Sequence, residues 1–243
     1  MRPVLVTTRQ YRDVLDVGDA VSQAKIYEAQ LADELAVLNI DGTHIGRDEP
    51  LLALIERLAT ETFMPLTVGG GVREIGDFAL LLERGADKVC INELAFRRPE
   101  LVSEAASRFG AQCVVVSIDF RTDAAGRAVA HTRHAGVPED VDVVESAVRA
   151  AKAGAGEILL TDADRDGMGS GLNCGCGRAV AAAVSVPVIL SGGCGLAEHF
   201  VEGFRNGGAE AIAAGTYFCF RDQNPMQTRA HIRNAGIPIR TET

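Results

Sequence analysis

Short apolar runs rich in β-branched residues alternate with longer stretches of helical periodicity along the whole chain. Eight such runs read as strands: Val4–Thr8, Glu34–Ile40, Leu66–Gly69, Lys88–Asn92, Cys113–Asp119, Glu157–Asp162, Val188–Ser191 and Ala211–Gly215, each with a helix following. Near-continuous apolar strands separated by helices predict a parallel sheet covered on both faces. Eight such units in succession predict a closed α/β barrel of the (β/α)8 type, because an open doubly wound sheet uses fewer strands. No linker or low-complexity stretch interrupts the pattern, so residues 1–243 read as one domain. Strand one is followed only by Gln10 to Gly18 before a helix starting near Asp19, whereas strand five is followed by an insertion, Arg121 to Asp142. Within it, Asp123 to Gly126 reads as a turn and Arg127–Thr132 as a short returning strand.

The pattern also repeats. Pro65 to Asn92 reads strand, glycine turn, helix, strand, and Pro187 to Thr216 repeats that order with Gly70-Gly71 lying on Gly192-Gly193 and one added residue near Gly207-Gly208. A repeat of this length predicts two half-barrels, about 1–110 and 111–243.

The repeat carries candidate chemistry. Glycines between an apolar strand and a helix start present unpaired backbone amides with no Cβ to block approach, which suits a phosphate. One glycine cluster is equally a tight turn that binds nothing, but two in register point to two phosphate sites. Asp119 closes strand five, where a barrel's strands end at its active face, and is the candidate acid or base. Asp166 and Gly167, after strand six, either bind the second phosphate or make a turn. Glu34, Lys88 and Glu157 instead open their strands, so they form a charged ring at the opposite mouth. On position alone the ring is a stability feature.

A length of 243 residues suits a barrel of this kind. The formal net charge of −9 excludes a general nucleic-acid surface but not a phosphorylated metabolite, which needs only local positive potential. The six cysteines are scattered and lack paired metal-ligand spacing, Cys174-Gly-Cys176 included, so neither a metal nor a cofactor is expected. With no apolar run of spanning length and no signal-like N-terminus, a cytoplasmic protein is expected.

The segments ADELAVLNID (Ala32–Asp41), FMPLTVGGGVR (Phe63–Arg73), GADKVCIN (Gly85–Asn92), RFGAQCVVVSID (Arg108–Asp119), GAGEILLTDADRDG (Gly154–Gly167), VPVILSGGCGLAEHF (Val186–Phe200) and AIAAGTYFCF (Ala211–Phe220) together resemble the cyclase subunit family of imidazole glycerol phosphate synthase. They also resemble its paralogues, which amidate sugars for surface polysaccharides. The resemblance implies a glutaminase partner docked at the barrel's N-terminal face, with ammonia passing a gate formed by Glu34, Lys88 and Glu157, and Arg2 as a fourth member. It further implies one substrate phosphate at Gly70, Gly71 and Asn92, a second at Asp166, Gly167, Gly192, Gly193, Gly215 and Thr216, and Asp119 as one of two catalytic aspartates.

The chain departs from that family at its start. The family's first strand ends in the other catalytic aspartate and leads into a flexible loop rich in lysine and glycine, whereas this chain opens RPVLVTTRQYRD. Thr7 or Thr8 takes the aspartate's place, and a hydroxyl carries no charge at neutral pH. Glu93 stands where the family has a small hydroxyl residue, and its charge is expected to repel a phosphate. Asn39 replaces an acidic residue and Met168 a threonine. The expected function is an ammonia-dependent synthase acting on a bis-phosphorylated ribulosyl substrate. The alternatives are a sugar-amidating paralogue, a barrel that docks or regulates a glutaminase without catalysis of its own, and a phosphosugar isomerase related by fold.

Overall fold

A computed structural model describes residues 3–131, 141–220 and 222–240. Seven parallel strands form its centre: β3 (Leu35–Leu38), β4 (Leu66–Gly69), β5 (Lys88–Ile91), β6 (Val114–Thr122), β8 (Glu157–Asp162), β9 (Val188–Ser191) and β10 (Ala211–Ile212), adjacent in that order. The helices that follow them are α2 (Glu49–Glu61), α3 (Ile75–Glu83), α4 (Glu93–Arg97), α5 (Pro99–Phe109), α6 (Val143–Ala153), α7 (Cys174–Ala183), α8 (Ala197–Gly207), α9 (Thr216–Phe220) and α10 (Pro225–Asn234). This is the α/β barrel plan expected from the alternation of runs. The expected returning strand is present as β7 (Ala128–Ala130), antiparallel to β6. Residues 132–140 of the insertion, and Arg2, lie outside the described residues.

The first strand departs from expectation. β1 (Leu5–Arg9) forms no ladder with β3 or β10; it pairs antiparallel with β2 (Asp13–Gly18), in the stretch expected to be a bare connector. The cause is local. Gln10 and Tyr11 both take left-handed backbone angles, φ 51° and 59°, and the Arg12 amide donates to the Arg9 carbonyl at 2.9 Å, closing a two-residue turn whose twist suits a hairpin. Such turns usually carry Asn-Gly, and Gln-Tyr gives no such signal. Asp19 then caps α1 (Ala20–Ala29), its side chain accepting from the Ser22 amide at 2.9 Å.

Alternation along the strands makes two separate apolar layers. Val68, Val89, Val116, Ile158 and Val188 face the helices in the main core. Cys90, Val115 and Leu159, with Ile189 and Ala213 against them, form a second cluster inside the barrel. The interior thus has an apolar middle, with polar residues of the same strand faces above and below it.

Candidate active site

The two glycine turns are built alike. A Cβ on Gly70 would lie 2.1 Å from the Asn39 carbonyl oxygen, and one on Gly192 would lie 2.4 Å from that of Asp162. One on Gly71 would meet the Thr43 carbonyl at 1.9 Å, and one on Gly193 the Gly171 carbonyl at 2.2 Å. All four glycines have positive φ, between 79° and 116°. Gly71 accepts from the Ile45 amide at 3.0 Å and Gly193 from the Gly171 amide at 2.8 Å. Asn39 and Asp162 even turn their side chains alike, each accepting at 3.0 Å from the amide two residues on, of Asp41 and Asp164. Close packing of strand ends against loops is thus reason enough for glycine here. The same geometry leaves each turn leading into a helix start, α3 in one copy and α8 in the other.

Asp119 sits between the two turns, on β6. Its Oδ1 accepts from the Tyr11 hydroxyl at 3.0 Å and, more weakly, from the Ser117 hydroxyl at 3.4 Å, while Oδ2 accepts from Asn92 Nδ2 at 2.7 Å. Among the described residues it is neither a helix cap nor half of a salt bridge. Asp119 keeps some surface open to solvent, but enough protein crowds its carboxyl that loss of hydration raises its pKa to about 6; the donors Tyr11, Asn92 and Ser117 restrain the rise, and the nearby Asp166 charge adds to it. Asp166 is itself raised by burial, against a 2.6 Å hydrogen bond from the Thr8 hydroxyl.

The remaining residues of the expected phosphate sites are partly engaged within the protein. Asn92 turns its amide to Asp119, leaving Oδ1 buried without a partner. Thr216 Oγ1 donates to the Thr8 carbonyl at 3.5 Å, and a Cβ on Gly167 would lie 2.3 Å from that same carbonyl oxygen. Gly215 is roomier, since a Cβ there would lie 3.8 Å from Thr7 Cγ2. Of the two threonines, Thr8 is bonded to Asp166, while Thr7 Oγ1 is buried without a partner. The charge of Glu93 is not bare, since Arg97 pairs with it at 2.7 Å one helical turn on.

At the strands' other ends, Lys88 Nζ lies 2.7 Å from Glu157 Oε1 and 2.9 Å from Glu34 Oε2. Burial lowers the ammonium's pKa, but the hydrogen bonds and charges of the two carboxylates outweigh it, and the net shift is upward. Glu157 Oε2 is buried without a partner. Along β6 the residues Val115, Ser117 and Asp119, and along β8 the residues Glu157, Leu159 and Thr161, share the inner face. Ring, apolar middle and acid therefore succeed one another through the barrel.

Residues 2–223 match the family described as histidine biosynthesis protein. The chain belongs to this family. It is 46% identical over 241 residues to the protein of Prochlorococcus marinus (strain MIT 9313) named "Putative imidazole glycerol phosphate synthase subunit hisF2", covering 99% of this chain and 92% of that relative.

In this histidine biosynthesis family member, sequence reasoning missed Tyr11, Thr161 and Arg121 at the mouth. Tyr11 lies in the segment where the chain departs from the family pattern, but no pattern signalled that a hairpin returns it over the barrel. One further cluster lies beside the Gly70-Gly71 turn. His44, Glu74 and Asp77 bring ligand atoms within 4.8 Å of one another. Asp77 there caps α3, accepting from the Arg73 and Glu74 amides at 2.7 and 3.1 Å while His44 Nε2 lies 3.0 Å away, so its oxygens already serve the fold. All six cysteines are free thiols. No helix among the described residues is long and apolar enough to cross a membrane.

Proposed function

We propose that this family member is a synthase subunit of the imidazole glycerol phosphate synthase cyclase type, acting on a bis-phosphorylated ribulosyl substrate with ammonia supplied by a glutaminase partner. The observation that carries it is Asp119, with a pKa near 6, placed at the barrel mouth between two like-built glycine turns and in line with the Lys88 ring. In this reading the Gly70-Gly71 turn holds one phosphate, and the Gly192-Gly193 turn holds the other with Asp166, Gly167, Gly215 and Thr216. The partner docks at the strands' N-terminal ends. Ammonia passes Glu34, Lys88 and Glu157 and the apolar layer of Cys90, Val115 and Leu159, then adds through its lone pair to the substrate carbonyl. Asp119 near its pKa exchanges a proton with the reacting nitrogen or oxygen while water leaves, a role suited to a group titrating close to working pH.

The test is turnover with ammonium salts in the absence of any partner. Formation of an imidazole product that falls by about two to four orders of magnitude in Asp119→Asn supports the reading. Retained phosphate binding with no product overturns it. A second reading, amidation of a sugar in surface polysaccharide synthesis, is favoured by β1, whose last residues Thr7, Thr8 and Arg9 offer no second carboxylate at the mouth. Binding of a nucleotide sugar together with indifference to the ribulosyl compound selects it.

A further inference from the structure

We propose that Tyr11 is the positioning residue of Asp119, delivered across the barrel mouth by the β1–β2 hairpin and holding the carboxyl in one orientation for proton transfer. Two of the three non-glycine residues with positive φ among the described residues, Gln10 and Tyr11, are adjacent at this tip. A left-handed angle is unfavourable for an ordinary residue, so a turn with two of them and no glycine persists only where its surroundings fix it. They do so here from one side. The Gln10 amide donates to the Asp166 carbonyl at 2.9 Å, Gln10 Nε2 to the Asp164 carbonyl at 2.8 Å, and Arg121 donates to the Gln10 carbonyl at 3.2 Å while pairing with Asp164 at 2.5 Å. The tip is thereby pinned to the loop after β8 and to β6, the strand that carries Asp119.

The result is a carboxylate held by both oxygens, Tyr11 on Oδ1 and Asn92 on Oδ2. Two donors on opposite oxygens fix the plane of the group. The phenol is a dependable donor because burial, then the charges of Asp119 and Asp166, keep its proton on, against a smaller opposing contact from Thr161. The titratable and polar groups facing Asp119 are Tyr11 from the hairpin, Asn92 and Cys90 from β5 and its end, Ser117 on β6, and Asp166 with Thr161 from β8 and its loop. Among these Tyr11 is the one set there by a strained turn.

The proposal rests on Asp119 being the acid–base group of the proposed function, but its test does not need substrate. The Asp119 carboxyl is followed by carbon-13 NMR across pH 4 to 8 in the full chain, with Asp119→Asn assigning the signal. In folded Tyr11→Phe, where the ring remains and the donor is lost, the inflection is expected to move upward by about half to one pH unit, because a donor to the ionised form is gone. An unmoved inflection overturns the proposal and leaves Tyr11 a packing residue. Should Tyr11→Phe fail to fold, the tyrosine ring signal of Tyr11 in Asp119→Asn gives the reciprocal readout, and no change there overturns it equally. In the ammonium assay the acid limb is expected to move with the NMR inflection while KM changes little. A shifted inflection in a protein that makes no imidazole product sinks the proposed function and leaves the Tyr11 assignment standing.

Discussion

Lys88 Nζ lies 2.7 Å from Glu157 Oε1 with only 15% of the lysine side chain and 20% of the glutamate exposed, so this is an enclosed ion pair and not a surface one. Glu34 shares the same ammonium from a more open position. In Lys88→Met two carboxylates are left facing each other, one of them largely dehydrated; breaking a fully buried pair from one side costs roughly 3–5 kcal/mol, and solvent at the open Glu34 side lowers this. The upward shift of Lys88 means the pairing is intact below the ordinary lysine value and is lost only as pH rises through the folded one. Urea midpoints of Lys88→Met are therefore expected to fall by a similar amount at pH 7 and pH 9. In the proposed function the same variant loses glutamine-driven turnover more than ammonium-driven turnover.

Asp119 sets a pH window. Its folded pKa of about 6 stands above the ordinary 3.8, so the folded chain holds that proton more tightly than the unfolded chain does. The resulting stabilisation is complete below about pH 4 and is lost as pH rises through about 6. Two pKa units correspond to about 3 kcal/mol at most, and solvent contact at the mouth reduces this to roughly 1–2 kcal/mol. Asp119→Asn removes the charge without removing the volume. It is expected to flatten the decline in stability between pH 4 and 6.5 measured by urea unfolding, while abolishing the acid limb of any turnover.

Gly71 and Gly126 make a matched pair for the glycine turns. Both have φ near 80°, but a Cβ on Gly126 meets nothing within 4 Å, whereas one on Gly71 meets the Thr43 carbonyl at 1.9 Å. Gly126→Ala is expected to cost about 1 kcal/mol through backbone conformation. Gly71→Ala must also push out the loop between β3 and α2, and is expected to cost roughly 2–4 kcal/mol. Thermal melts with and without inorganic phosphate separate the effects, with phosphate stabilisation retained in Gly126→Ala and lost in Gly71→Ala.

The seven strands of the parallel sheet were legible because each is an apolar run between helices, and burial on both faces demands that composition; the first run was legible as a strand but not in its pairing. The glycine turns were legible because a Cβ at any of the four positions would lie under 2.5 Å from a neighbouring carbonyl oxygen, which leaves a fixed mark in the sequence. The hairpin was not. Its turn uses Gln10-Tyr11 in place of glycine and is held by tertiary hydrogen bonds that Gln10 donates to the Asp164 and Asp166 carbonyls and accepts from Arg121, all more than 100 residues away in sequence. For the same reason Tyr11 escaped notice as a partner of Asp119. The Glu93–Arg97 pair was present at helical spacing, yet its bearing on the expected repulsion emerged only with α4 in place.

That pair gives a prediction of its own. Glu93 opens α4 after β5, next to β4 and its glycine turn, so its charge opposes an anion held there even when Arg97 answers it. Glu93→Ser is expected to strengthen phosphate binding at this turn by about three- to ten-fold at low salt, with the gain shrinking as salt is added. Calorimetry with inorganic phosphate at two ionic strengths measures it. An unchanged affinity means that Arg97 already cancels the charge or that no anion binds at Gly70-Gly71.

The sheet's order makes its edges testable by hydrogen exchange. β6 is laddered on both sides, to β5 and β8, over buried residues. β3 pairs with β4 alone among the described residues, and Leu38 and Ile40 at its end are 43% and 39% exposed. Amides without a ladder partner open without breaking the core, so peptides from β3 and from the β1–β2 hairpin are expected to exchange orders of magnitude faster than those from β6 and β8. If β3 instead exchanges as slowly as β6, another strand lies against it in solution. Repeating the measurement on a chain starting at Arg12, which lacks β1, tests that strand's identity: lost protection assigns it to β1, and retained protection assigns it to a different strand, of this chain or of a second copy.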